Sequence, residues 1–182
     1  MTRLLLALTA AFGFLLAGCG SSAPPPVPRA ADAVAPPVAI EIPSIQAQSS
    51  LIRTGLNPDR TIEVPDGHRP EQASWFEFSS LPGKPGPAVI LGHVDGDHKP
   101  GVFYHLSTLK PGARVIIERS DGSRLNYAVT RVHKVDKDEF PRDEVYGNTP
   151  DSELRLITCG GAWRGGQYGY ADNIIVDARI IT

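Results

Sequence analysis

Along much of this chain apolar and polar residues alternate with a period of two, the spacing that predicts strands with one buried face. Val38, Ile40 and Ile42 alternate with Ala39 and Glu41 until Pro43-Ser44-Ile45 closes the run. Leu51–Leu56 and Thr61–Val64 read as short strands broken by Asn57-Pro58-Asp59 and Pro65-Asp66-Gly67 turns. Pro70–Phe78 reads instead as a helical turn or more, since Glu71, Gln72 and Ala73 form helices well and Trp75, Phe76 and Phe78 give an apolar end. After the loop Leu81–Gly86, the run Pro87–Gly92 is apolar throughout and ends in His93-Val94-Asp95-Gly96. Val102–Leu109 is ambiguous, with Phe103, Leu106 and Leu109 at helical spacing.

Arg114–Arg119 and Leu125–Val135 are strands joined by a tight Ser120-Asp121-Gly122-Ser123 hairpin. A polar connection around Phe140-Pro141 follows. The next strand places Leu154, Leu156 and Thr158 on one face and Arg155, Ile157 and Cys159 on the other. Gly160 and Gly161 are expected to end it and to leave open space before the thiol. The loop Ala162–Ala171 then returns into Ile174–Val176, rich in β-branched residues. Seven or eight short strands, few helices and no βαβ alternation predict an all-β barrel or sandwich.

The first residues follow a different pattern. Arg3 precedes the apolar run Leu4–Leu16, which is shorter than the ~17–25 residues of a membrane-spanning helix. The run ends in Leu16-Ala17-Gly18-Cys19, which resembles the lipobox of bacterial lipoproteins, where cleavage precedes a cysteine that carries diacylglycerol. Residues 1–19 are thus a signal peptide with lipobox, or an N-terminal membrane anchor, and Cys19 is the expected lipid anchor. Residues 20–37 form a Pro/Ala-rich linker of extended geometry, and residues 38–182 the folded domain. Either leader puts that domain on the extracytoplasmic face of the cell membrane, tethered at its N-terminus.

Composition narrows the function. In 182 residues, 17 prolines and 18 glycines suit short strands and turns. A net charge of −2, with Lys and Arg scattered singly, argues against nucleic acid as a partner. The two cysteines, Cys19 and Cys159, make no disulfide framework once the first carries lipid.

His93 and Cys159 occupy equivalent settings, each ending an apolar run beside a glycine, Gly92 and Gly160. None of the other four histidines, at 68, 98, 105 and 133, has such a setting. A thiol becomes a good nucleophile when it is ionised or paired with a base, and an imidazole is the usual base. Metal binding would need further ligands close to Cys159, and none surrounds it in sequence. Asp95, Asp97 and His98 are too few and too loosely spaced for a cation site, so neither metal nor organic cofactor is expected.

Three segments resemble the sortases, most closely class F: Ile90-Leu91-Gly92-His93-Val94-Asp95, Leu156-Ile157-Thr158-Cys159-Gly160-Gly161 and Tyr170-Ala171-Asp172-Asn173-Ile174-Ile175-Val176. The resemblance covers about Val38 to Ile181. It implies an eight-stranded β-barrel with one or two short helices, acting as a cysteine transpeptidase. Cys159 would attack the Thr–Gly carbonyl of an LPXTG-like sorting signal to form a thioacyl enzyme. His93 would exchange protons with the leaving and incoming amines. The implied partners are secreted proteins bearing sorting signals and a peptidoglycan precursor amine.

The resemblance further implies an arginine near the start of the strand after the cysteine. Class F members often carry Tyr-Arg-Asp-Asn there, whereas this chain has Tyr170-Ala171-Asp172-Asn173. Arg164, the nearest replacement, is expected to reach back over the thiol as a catalytic residue, with Arg142 a further candidate. Thr158 and Asn173 are expected to bind substrate. Trp163, Tyr168 and Tyr170, on the loop after the thiol, either shape a substrate groove or simply pack that loop. Two alternatives stay open at this stage, a cysteine hydrolase on the same barrel and a non-catalytic tethered module.

Overall fold

The alternating runs close on themselves. In the structure, a computed structural model describing residues 34–166 and 169–181, eight strands form a closed barrel. The described residues hold ten strands, eight of them in the barrel: β1 (Pro37–Ile42), β2 (Ala47–Thr54), β3 (Ala73–Phe76), β4 (Gly86–Gly92), β5 (Asp95–Gly96), β6 (Lys99–Pro100), β7 (Arg114–Arg119), β8 (Arg124–Asp136), β9 (Ser152–Trp163) and β10 (Tyr170–Ile181). Round the barrel the order is β1-β2-β3-β4-β9-β10-β8-β7, while β5 and β6 form a separate two-stranded ribbon. The fold is the all-β, eight-stranded barrel expected, with one short helix, α1 (Arg142–Tyr146), and three 3₁₀ turns among the described residues. No helix among them is long and apolar enough to cross a membrane. The signal segment, its Cys19 and most of the linker lie outside the described residues, as does Tyr168.

Inward positions fill the barrel with Ile40, Ile90, Leu154, Leu156, Val176 and the ring of Tyr127, among others. A second apolar layer lies against the outer wall, where Val89, Leu91, Ile157 and Ile175 meet Phe76 and Val145 of α1. That second layer explains why β4 is apolar at every position instead of alternating: all seven residues are buried.

Strand direction decides where chemistry can gather. β4 and β9 run parallel, paired from Gly86↔Ser152 to Leu91↔Ile157. β10 runs antiparallel to both β9 and β8. The ends of β4 and β8, the last third of β9 and the start of β10 therefore share one rim.

Three local expectations fail. Residues 73–76 form β3, not a helix, because parallel pairing with β2 and antiparallel pairing with β4 override the helix preference of Glu71, Gln72 and Ala73. Thr61–Val64 makes only a single bridge, Leu56↔Ile62. The glycines after Cys159 do not end β9, which runs on to Trp163. A Cβ on Gly160 would come within 2.7 Å of Ile174, and one on Gly161, at φ +77°, within 2.0 Å of the Asp172 carboxylate. The bare backbone thus admits side chains of this chain's own β10. The ambiguous Val102–Leu109 resolves into a 3₁₀ turn at Leu106–Thr108, with Phe103, Leu106 and Leu109 buried.

Candidate active site

The parallel pair builds the site. Two residues beyond the last ladder pair, Leu91↔Ile157, stand His93, just past the end of β4, and Cys159, within β9. Alternation puts Cys159 on the outer side with Ile157, and both His93 and Cys159 line the same groove, of about 710 Å³. They are 66 positions apart in sequence and come to one groove because β4 and β9 pair in this register. Cys159 is a free thiol, half-buried.

His93 is held from behind. Its Nε2 lies 2.6 Å from the Pro65 carbonyl. A carbonyl can only accept, so Nε2 carries a hydrogen and Nδ1 is the nitrogen left to take up or release a proton. The backbone around the ring is fixed from both sides: the Phe103 amide donates to the His93 carbonyl at 3.0 Å and the Gly101 amide to Val94 at 2.8 Å. Only glycine fits at 101, where a Cβ would sit 2.2 Å from the His93 carbonyl oxygen.

Aromatic rings and the β5–β6 ribbon wall the groove: Tyr104, Trp163 and Tyr170 face Asp97, His98, Lys99 and Pro100. Trp163 and Tyr170 pack edge to face with centroids 5.1 Å apart. The Tyr170 hydroxyl donates to Asp95, tying the start of β10 to the segment that carries His93. That bond, reinforced by burial, pushes the Tyr170 phenol up to about 12. With its carboxylate engaged this way, Asp95 is bound into the wall of the groove.

The other described sequence candidates are not among the residues that line the groove. Thr158 is buried, on the face of β9 opposite Cys159, and its hydroxyl has no partner among the described residues. Its side chain is part of the barrel wall and is not among those that line the groove. Asn173 pairs with Cys159 across the β9–β10 ladder, half-buried, but is not among the groove-lining residues. Arg164 does not line the groove either; its guanidinium reaches Asp136 at 3.2 Å and Asp138 at 3.7 Å. Arg142 is exposed at the start of α1, again away from the groove.

Sequence reading passed over Lys137. Its Nζ lies 3.5 Å from Cys159 Sγ and it lines the groove. The available signal was faint: a lone lysine between Asp136 and Asp138, at the end of a strand that only the barrel topology brings to β9.

A second polar cluster sits on the outer wall, where His133, Glu144 and Asp177 bring possible ligand atoms within 4.8 Å of one another. Arg131 pairs with both carboxylates, and Arg155, nearly buried, reaches Asp177 at 3.1 Å and Glu153 at 2.7 Å. Guanidiniums already fill the places a cation would take, so the cluster is an ion-pair network.

The family model that matches this chain is the sortase domain, over residues 40–181. The chain belongs to the sortase family. Among solved structures, sortase A from Corynebacterium diphtheriae aligns with a TM-score of 0.62 at 21% identity, covering 83% of this chain and 63% of that one. Sortase C1 from Streptococcus agalactiae aligns at 0.62 and 19% identity, covering 79% and 66%. Sortase C-1 from Actinomyces oris aligns at 0.59 and 25%, covering 79% and 71%. The likeness to the first two shows the sortase fold, and this chain spans less than two thirds of the length of either. No curated protein sequence matches it.

Proposed function

We propose that this sortase is a cysteine transpeptidase that cleaves an LPXTG-like sorting signal at its Thr–Gly bond and passes the acyl group to a cell-wall amine. The observation that carries this reading is that Cys159 and His93 line one groove, brought there by the neighbouring parallel strands β9 and β4.

The chemistry follows from those two groups. The Cys159 sulfur, as thiolate, attacks the scissile carbonyl carbon, and the C=O π pair moves onto oxygen. Collapse of the tetrahedral adduct breaks the C–N bond, and the amine leaves with a proton from His93 Nδ1. An acyl thioester remains on Cys159. An incoming amine attacks it, gives its proton to His93 and expels the thiolate, so one hard amide exchange becomes two easier steps. A groove walled by Tyr104, Trp163 and Tyr170 suits an extended peptide with apolar side chains. The motifs around His93, Cys159 and Tyr170 support a class F assignment, and the Cys19 lipobox supports a tether outside the cytoplasmic membrane.

The test is capture of a thioester on Cys159 from a library of LPXTG-like pentapeptide signals, read by intact and peptide-mapped mass. Cys159→Ala is expected to abolish the adduct, and His93→Ala to slow turnover by about 10³-fold, within the range for general acid–base groups. Products formed in excess glycine amine separate transfer from hydrolysis. Hydrolysed peptide alone would overturn the transferase reading, and turnover by Cys159→Ala would overturn the nucleophile.

A further inference from the structure

We infer that Lys137 is the cationic member of this active site, holding the negative charge of the Cys159 sulfur and then of the oxyanion formed from the substrate carbonyl. This inference rests on the transpeptidase reading and adds a residue to it.

Charge must be accommodated at two moments, on sulfur before attack and on oxygen after it. The Lys137 ammonium lies within hydrogen-bonding reach of the sulfur, 3.5 Å from Sγ. The oxyanion forms two bonds away from that sulfur, so one ammonium on a flexible four-carbon stem can follow the charge from one atom to the other. The lysine keeps its proton throughout, and all proton transfer stays with His93.

The backbone aims Lys137 there. It is the first residue of a 3₁₀ turn, Lys137–Glu139, capped by the Asp136 side chain, which accepts from the Asp138 amide at 2.9 Å. Asp136, the last residue of β8, pairs with Asp172 of β10, and Asn173 pairs with Cys159 of β9. Lys137 therefore reaches the sulfur by crossing the start of β10. The residue that continues the register opposite it is Ala171, buried and no longer than a methyl. A long side chain at 171 would contest that path.

Arg164 has a different part. The two carboxylates flanking Lys137 along the chain are the ones its guanidinium holds. It is a positioning residue, bracing the turn while the lysine between those carboxylates faces the thiol.

Both halves are tested on the full chain with Lys137→Met, Lys137→Arg and Arg164→Ala. Lys137 is half-exposed, and unchanged thermal unfolding checks that the variants are folded. The first readout is the rate of Cys159 alkylation by uncharged iodoacetamide at neutral pH, located by peptide mapping so that Cys19 does not contribute. Lys137→Met is expected to slow it about tenfold and Lys137→Arg to restore most of the rate, because charge and not length is at issue. The second readout is turnover of the peptide captured in the thioester screen. Lys137→Met should lower kcat on the order of 10²-fold with little change in KM, as loss of an oxyanion partner does. Arg164→Ala should cost a few-fold in kcat. Wild-type alkylation and kcat in Lys137→Met would overturn the inference while leaving the nucleophile intact. A larger loss in Arg164→Ala than in Lys137→Met would move the cation to the arginine. Turnover surviving in Cys159→Ala would instead remove the reading on which the inference stands.

Discussion

Tyr170 shows how one side chain joins the two halves of the groove. Its hydroxyl donates to Asp95, two residues after His93, while its ring packs on Trp163 at the end of β9. The folded phenol is raised from 10.0 to about 12, so the tyrosine is neutral at neutral pH and well above it. The sign is fixed by linkage: a raised pKa gives stabilisation that is complete below about pH 10 and is lost as pH climbs toward 12. Spectrophotometric titration of Tyr170→Phe should therefore lose one tyrosine's share of the absorbance that rises near pH 12, leaving that of the other raised phenols, Tyr127 and Tyr146, in place. The same variant should weaken peptide binding more than it slows the acyl step, since it loosens a wall and leaves sulfur and imidazole in place; a change confined to kcat would contradict this. At this scale much was readable beforehand. Cys159 and His93 stand out because each ends an apolar run beside glycine. Lys137 did not, because nothing local distinguishes a lysine facing a thiol from one facing water. Only the crossing of β10 makes that difference.

Among the elements, the β9–β10 hairpin carries most of the site, and its tolerances are set by two glycines. Gly161 has φ +77°, and any side chain there would meet the Asp172 carboxylate, which also binds Lys134 at 3.0 Å. Gly161→Ala should cost about 1–3 kcal/mol in urea unfolding, from left-handed strain and displacement of Asp172. If it leaves stability unchanged, the hairpin is held less tightly than its geometry requires. These glycines were legible as a place of close approach, but not as to what approaches. Likewise β3 looked helical because its partners β2 and β4 lie outside any local window, and parallel pairing is invisible to propensity. β4 was legible for the opposite reason: burial on both faces writes itself into sequence as an unbroken apolar run.

The whole barrel is bound at its outer wall by the ion pairs of β8, β9, β10 and α1. His133 sits among them with its pKa lowered, first by burial and then by the Arg131 charge. A histidine depressed in the folded state adds stability above its unfolded pKa, near 6.5, and withdraws it as pH falls below that value. Unfolding free energy should accordingly fall with acidification below pH 6.5, and His133→Gln should flatten that slope; an unchanged slope would place its origin elsewhere. The global fold was the most legible feature of all, since short alternating runs without helical crossovers leave barrels and sandwiches as the main choices. Closure itself, β1 against β7, was not, because a period of two says which face is buried and never which neighbour.

The register between β4 and β9 has one more consequence. Sulfur and imidazole share no bond of their own; their encounter is inherited from six rungs of backbone pairing, beginning at Gly86↔Ser152. Removing Thr158, the one residue between Ile157 and Cys159, would keep the thiol and the imidazole yet turn the thiol inward among Leu154, Leu156 and Val176. In this molecule reactivity is a matter of parity: an odd change in spacing silences the centre, while an even one merely slides it along the rim.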